Sequence, residues 1–166
     1  MSIAQIPVAA VLGHPIHQSK SPQLHNFWLS SFGVSGFYIP LDIDPKNFEK
    51  HIRSLPLLGF VGANVTIPYK EKILKVADKI SDRAALIGAA NTLTFLSDGK
   101  IYADNTDGYG FIQNIKSKYK DWTAKDGMSV VFGAGGASRA ILGALIEDGA
   151  SEIVLANRTR SRADQL

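Results

Sequence analysis

The side chains best equipped for chemistry are Ser19, Ser21, Asn64, Thr66, Lys70, Asn91 and Asp107. They offer hydroxyls, amides, an ammonium and a carboxylate, a set that suits a small polyhydroxylated acid and needs no metal. Without further context, a Lys–Asp pair such as Lys70 and Asp107 reads as a surface ion pair of small energetic weight. The segments around the two residues therefore decide how the pair is read. His14, His17 and His25 lie close in sequence, but no acidic cluster or thiolate accompanies them, so they read as loop or core packing and not as a metal site.

A second stretch with chemical meaning is Phe132-Gly133-Ala134-Gly135-Gly136-Ala137-Ser138-Arg139. It follows an apolar strand pattern and opens a helical one, which is the setting a dinucleotide-binding turn requires. Gly133 allows the tight turn, Gly135 lets the backbone approach a pyrophosphate, and the free N–H groups of the helix start receive the anion. Ser138 stands where the general pattern has its third glycine. Recognition of NAD calls for an acid at the end of the following strand, yet Asn157-Arg158-Thr159-Arg160-Ser161-Arg162 stands there. Arg158 and Arg162, with the Thr159 hydroxyl, suit a 2′-phosphate, which favours NADP over NAD. The plain alternative is a solvated, arginine-rich helix start.

These groups need elements to position them. Pro7 to Gly13 is a near-continuous apolar run closed by glycine, as expected of a strand covered on both faces and central in a sheet. Ser21-Pro22 then offers an N-cap and a first-turn proline, and Leu24, Phe27 and Trp28 mark the buried side of a helix that runs to Gly33. Phe37 to Leu41 predicts a second strand, and Asp44-Pro45 caps a helix with Phe48, Ile52 and Leu55 on one face. A third strand spans Gly59 to Val65, followed by helical stretches at Tyr69 to Ala77 and Asp82 to Ile87. Leu93 to Phe95 and Ile101 to Ala103 flank an Asp-Gly turn, so the sheet should be mixed. After Asp107 comes a helix with Phe111, Ile112 and Ile115 on one face, then a solvated connection from Lys116 to Asp126. Ser129 to Phe132, Ala137 to Glu147 and Glu152 to Ala156 form one βαβ unit. The fold class expected is α/β: an N-terminal three-layer domain around a mixed sheet at residues 1–106, then the first part of a Rossmann-type nucleotide-binding domain at 107–166.

Composition sets outer bounds. The 166 residues are 45% hydrophobic and 20% charged, values of an ordinary globular chain, which excludes disordered and collagen-like readings. A net charge of +3 with interleaved signs is too weak a field to argue for nucleic acid. The early apolar run is far too short to span a bilayer and has no positive residue before Lys20, so neither a membrane segment nor a signal peptide is expected. Zero cysteines exclude disulfides and thiolate zinc sites and fit a reducing compartment, the cytoplasm by default.

The motifs Ser-x-Ser-Pro, Asn-Val-Thr-Ile-Pro-Tyr-Lys, Ala-Asn-Thr, Asn-Thr-Asp-Gly, Gly-Ala-Gly-Gly-Ala and Asn-Arg-Thr follow one another from Ser19 to Thr159. In this order they make the chain closely resemble the shikimate dehydrogenase family. The resemblance implies NADPH-dependent, reversible reduction of 3-dehydroshikimate to shikimate in aromatic amino-acid biosynthesis, across a cleft between a substrate domain and a nucleotide domain. It implies that Ser19 and Ser21 hold the substrate carboxylate, that Thr66, Asn91 and Asp107 hold ring hydroxyls, and that Lys70 is the catalytic acid and base, with Asp107 assisting. It places Asn64 in the substrate group, and Asp82, Gly133, Ala134, Gly135, Gly136, Ala137, Asn157, Arg158, Thr159 and Arg162 around the cofactor. Members of the family are longer, so the remaining nucleotide sheet is expected beyond residue 166. Two rivals stay open: an NAD-using quinate/shikimate dehydrogenase, and a non-catalytic ligand-binding fragment. The resemblance calls for no nucleic-acid or membrane partner and leaves a homodimer open.

Overall fold

The apolar run Val8–Gly13 forms the first strand, β1, and it is central in the sheet because a parallel neighbour pairs along each edge. These neighbours are β2 (Phe37–Asp42) and β3 (Phe60–Val65); α1 (Ser21–Ser31) links β1 to β2, and α2 (Phe48–Ser54) links β2 to β3. The structure is a computed structural model and describes residues 6–166. The hairpin expected at the Asp-Gly turn is present as β5 (Thr92–Phe95) and β6 (Ile101–Asp104), paired antiparallel, and β5 also runs antiparallel to β3. A two-residue strand, β4 (Lys79–Ile80), pairs with β6 ahead of α3 (Asp82–Ile87). The mixed sheet has the order β2-β1-β3-β5-β6-β4.

Beyond it stand α4 (Asp107–Lys118), β7 (Ser129–Phe132), α5 (Gly136–Glu147), β8 (Ile153–Ala156) and the short α6 (Arg160–Ala163). Strands β7 and β8 pair in parallel, with α5 as their crossover. Two apolar cores follow this division. One face of the large sheet, through Leu12, Val65, Leu93, Ile101 and Ala103, packs on Phe48 and Ile52 of α2 and on Tyr69 and Ile73. The other core joins Ile112 of α4, Ala144 and Leu145 of α5, and Val131 of β7. No helix among the described residues is long and apolar enough to cross a membrane.

Several local expectations need correction. Phe27 and Trp28 are 66% and 43% exposed, and α1 buries no residue fully. Its inward side carries Leu29, which packs beside Val11, Ile16 and Tyr38, together with two polar residues. Asn26 brackets the Tyr38 peptide of edge strand β2, donating to its carbonyl at 2.8 Å and accepting from its N–H at 3.0 Å, and His25 stacks on the Tyr38 ring. A helix turned to satisfy edge backbone groups has to present its aromatics outward. Ser21 is the first helical residue and Lys20 the N-cap. The Ser19 hydroxyl instead accepts the Ser21 N–H, at 3.3 Å. The stretch after Tyr69 forms only a 3₁₀ turn at Lys72–Lys75, and Tyr69 ahead of it is fully buried with its hydroxyl donating to the Ile43 carbonyl. The segment from Lys116 to Asp126 is not merely solvated: Ala124 is buried, Trp122 packs on the second core, and Lys116 pairs with Asp148.

Where the hairpin leaves the sheet, Asp104 accepts from Arg83, from the Ser81 hydroxyl at 2.6 Å and from the Asn105 N–H at 2.7 Å. The Arg83 guanidinium, helped by these donors, holds the Asp104 carboxyl at about 2 against its ordinary 3.8. A depressed carboxyl stabilises the fold above its unfolded value, and that contribution disappears as the pH falls through the folded value. Arg83→Gln is therefore expected to lower the melting temperature at neutral pH, with the gap from the parent chain closing as pH falls from 3.8 towards 2. Thermal melts across pH check this, and a gap that persists in acid would refute it.

Candidate active site

Lys70 and Asp107 meet although thirty-seven positions separate them, and their side chains are 16% and 27% exposed. Lys70 follows the polar end of β3, where its carbonyl accepts the Ala90 N–H at 2.7 Å. Asp107 opens α4, a position where the positive end of the helix dipole favours a negative side chain. Its backbone N–H donates to the side-chain oxygen of Asn105 at 3.0 Å, and Asn105, 1% exposed, donates to the Ala89 carbonyl at 2.8 Å. A buried amide satisfied at both ends thus fixes the turn that delivers Asp107.

The second carboxylate oxygen, Oδ1, accepts from Asn91 Nδ2 at 2.7 Å. Asn91 Oδ1 accepts the Thr106 N–H at 2.9 Å and the Thr92 hydroxyl at 2.9 Å. Asn64 donates weakly to the Asn91 carbonyl, at 3.3 Å, and to Thr92 Oγ1, at 3.4 Å. Asn64, Lys70, Asn91 and Asp107 therefore gather into one cluster. Thr92, Thr106 and Asn105 belong to it but were not singled out in the sequence. The signal available was their place inside the same polar motifs, Ala-Asn-Thr and Asn-Thr-Asp-Gly.

Thr66 directly follows β3, and its N–H donates to the carbonyl of Leu12 near the end of β1 at 2.8 Å. The loop that carries Ser19 and Ser21 leaves the same strand end, and the His14 N–H bonds to the Ile67 carbonyl at 3.1 Å. Asp42, at the end of β2, shapes that loop by accepting from the His14 ring at 2.5 Å and from the Ile16 N–H at 3.4 Å. The His14 hydrogen bond is the main reason the Asp42 carboxyl is lowered. Asp82 stands apart, exposed in the first turn of α3, where it lines an open cleft of about 510 Å³ with Arg83, Tyr102 and Asp104.

The glycine turn sits directly over the lysine. Gly133 has φ of +102°, a conformation that disfavours any side chain, and it leads β7 into the turn before α5. A Cβ placed on Gly136 would lie 3.2 Å from Lys70 Cβ and 3.5 Å from Lys70 Cδ. The absence of a side chain at Gly136 therefore lets the helix start approach the lysine stem. Its backbone N–H groups are free of helical partners, as an anion site requires. Asn157 closes the end of β8 by donating to the Thr159 carbonyl at 2.7 Å, and Arg158 and Arg162 are exposed beside it.

Residues 11–93 match the sequence profile of the family described as the shikimate dehydrogenase substrate binding domain. The chain belongs to the shikimate dehydrogenase family. It is 58% identical over all its residues to shikimate dehydrogenase (NADP(+)) of Roseobacter denitrificans. A crystal structure of shikimate dehydrogenase from Aquifex aeolicus superposes with a TM-score of 0.90 at 38% identity, over 99% of this chain and 60% of that one. Shikimate 5-dehydrogenase from Thermus thermophilus, solved in complex with NADP(H) and shikimate, gives 0.86 at 37% identity over 96% and 59%. The chain spans 60% of the length of the Roseobacter denitrificans relative.

Lys70 Cβ has little room to retreat, since the Lys70 carbonyl is tied to Ala90 and neighbouring Tyr69 is fully buried. Gly136→Ala is accordingly expected to lower stability by about 1 kcal/mol through overpacking, although alanine's helix propensity alone would act in the opposite sense. Chemical denaturation measures the difference, and a stabilised variant would mean that the contact is slack.

Proposed function

We propose that this chain carries the substrate unit, residues 1–106, and the start of the nucleotide unit, residues 107–166, of an NADP-dependent shikimate dehydrogenase. The observation that carries this reading is the Lys70–Asp107 pair beneath the glycine turn, with Gly136 against the lysine stem. The names of the relatives support it, as does the shikimate held with NADP(H) in the Thermus thermophilus structure.

In this reading the turn from Gly133 to Ala137 holds the cofactor pyrophosphate, chiefly on the N–H groups that open α5, and Arg158 and Arg162, with Thr159 and Asn157, hold the 2′-phosphate. When bound, the reduced nicotinamide supplies a hydride to the carbonyl carbon of 3-dehydroshikimate. Charge then develops on the carbonyl oxygen, and Lys70 delivers a proton to it from hydrogen-bond distance. In the reverse direction neutral Lys70 removes the same proton from the shikimate hydroxyl. Asp107 keeps the ammonium aimed and accepts from a ring hydroxyl. Asn91 and Thr66 bind further hydroxyls, with Asn64 behind them, and Ser19 and Ser21 donate to the substrate carboxylate. Asp82 is assigned to the nicotinamide side of the cleft. The reading needs no nucleic acid, membrane or metal, is compatible with a homodimer, and suits a cytoplasmic enzyme.

The decisive experiment is formation of reduced nicotinamide from shikimate with NADP⁺ and NAD⁺ side by side. Strong preference for NADP⁺ supports the proposal, and preference for NAD⁺ would favour a quinate/shikimate-type enzyme. The absence of turnover with either would reject catalysis by this chain and leave ligand binding as its role. Lys70→Ala is expected to lower kcat by about 10²- to 10⁴-fold, as loss of a general acid and base does, with little change in shikimate binding. Retained turnover would reject the lysine's role. Arg158→Gln should raise the dissociation constant for NADP⁺ by roughly ten-fold, the equivalent of one charge-assisted hydrogen bond, and hardly alter that for NAD⁺. Equal losses for both cofactors would remove the phosphate clamp.

A further inference from the structure

Tyr38 is 5% exposed, and its hydroxyl donates to Asn64 Oδ1 at 2.6 Å. It reaches Asn64 from β2 across the intervening β1, over the small side chain of Ala9, its cross-strand partner. From Asn64 the contacts continue across β3 and β5 through Thr92 and Asn91 to Asp107. The direction of every bond in this row is fixed by its neighbours. The Asn91 carbonyl can only accept, so Asn64 must turn its NH₂ towards it and its oxygen towards Tyr38. Thr92 accepts from that NH₂ and spends its single proton on Asn91 Oδ1. Asn91 Oδ1 also accepts the Thr106 N–H, so its NH₂ faces Asp107. All donors thus point one way, from the tyrosine to the carboxylate, an arrangement in which each bond polarises the next.

We infer that Tyr38 is a positioning residue, which acts through Asn64, Thr92 and Asn91 to hold Asp107 against Lys70. The inference rests on the dehydrogenase reading for its kinetic consequence but not for its geometry. Burial pushes the Tyr38 hydroxyl up to about 12, so the row keeps its donor throughout the range in which an assay can be run. Stacking of His25 on the ring at 4.1 Å and the Asn26 clamp fix the phenol in place, and neither depends on the hydroxyl.

Tyr38→Phe removes the hydroxyl and keeps the ring, and Thr92→Val breaks the same row at another link. In the full chain, nuclear magnetic resonance should show the Asn91 side-chain amide protons moving upfield in both variants as their donation to Asp107 weakens. With shikimate and NADP⁺, Tyr38→Phe should lose about five-fold in kcat, the equivalent of one net hydrogen bond, with KM for shikimate nearly unchanged. The double variant should be no slower than the slower single variant, because both substitutions interrupt one row. A merely structural hydroxyl would lower the melting temperature without moving the Asn91 signals. Asn91 signals that stay in place in a folded Tyr38→Phe chain, or additive losses in the double variant, overturn the inference. If the parent chain does not turn over, the dehydrogenase reading fails by itself, and the Asn91 signals still decide the role of Tyr38.

Discussion

The cluster depends on the side-chain and backbone groups of one residue, Asn91. Its N–H donates to the Asp104 carbonyl at 3.0 Å, and its carbonyl accepts the Val65 N–H at 2.8 Å, so the ends of β3, β5 and β6 are tied at one point. Its side chain then spans from Thr106 to Asp107 and fixes the first residues of α4. An aliphatic residue of the same size would leave the Thr106 N–H and one oxygen of Asp107 without these partners, a larger cost than the bonds themselves contribute. The geometry of Lys70 and Asp107 is thus a consequence of how three strands end, and not of the pair's own attraction.

That attraction is a poor reason for the pair to exist. Both side chains are mostly withdrawn from water, and desolvation offsets much of the Coulombic gain of such a contact. Arg53 illustrates the contrast: it meets both Glu49 and Asp78 at 3.3 Å on the exposed side of α2, where geometry is loose and water screens the charges. Lys70 and Asp107 instead carry a row of oriented dipoles behind the carboxylate and a helix start above the lysine. Preorganised polar groups of this kind are costly to build and have their effect where charge develops during a reaction.

Much of this was legible in the sequence, and the reasons differ by element. The strands β1, β3, β5 and β6 follow from apolar runs and an Asp-Gly turn, signals that act locally. Lys70 and Asp107 were legible as chemical types at the ends of such elements. Tyr38 was not, because its partner Asn64 lies on another strand and the pairing depends on β1 standing between them. Helix α1 departs from its sequence pattern for a related reason. Its apolar positions Leu24, Phe27 and Trp28 suggest an inward face, but the edge peptide of β2 needs hydrogen-bond partners, and Asn26 supplies them from the opposite side. A periodicity argument treats apolar burial as the only force that orients a helix, and here a backbone requirement prevails. The strand β4 is two residues long and has no periodicity to read.

The placement of Gly136 ties the two units together. Helices α4 and α5 share the second core through Ile112, Ala144 and Leu145, so the glycine turn is carried by packing that begins at buried Gly108, next to Asp107. Asp107 is consequently held twice, by Asn91 of the large sheet and through the helix that packs on α5, while the glycine turn rides on α5. Motion of one unit against the other would therefore shift the glycine turn relative to Lys70 and Asp107. An interaction that is sensitive to such motion belongs at the point of contact, and the missing side chain at Gly136 is what allows the backbone to reach it. The two units therefore register against each other at one point: the glycine turn meets the lysine stem at Gly136, and the polar row behind Asp107 holds the carboxylate on the lysine's other side.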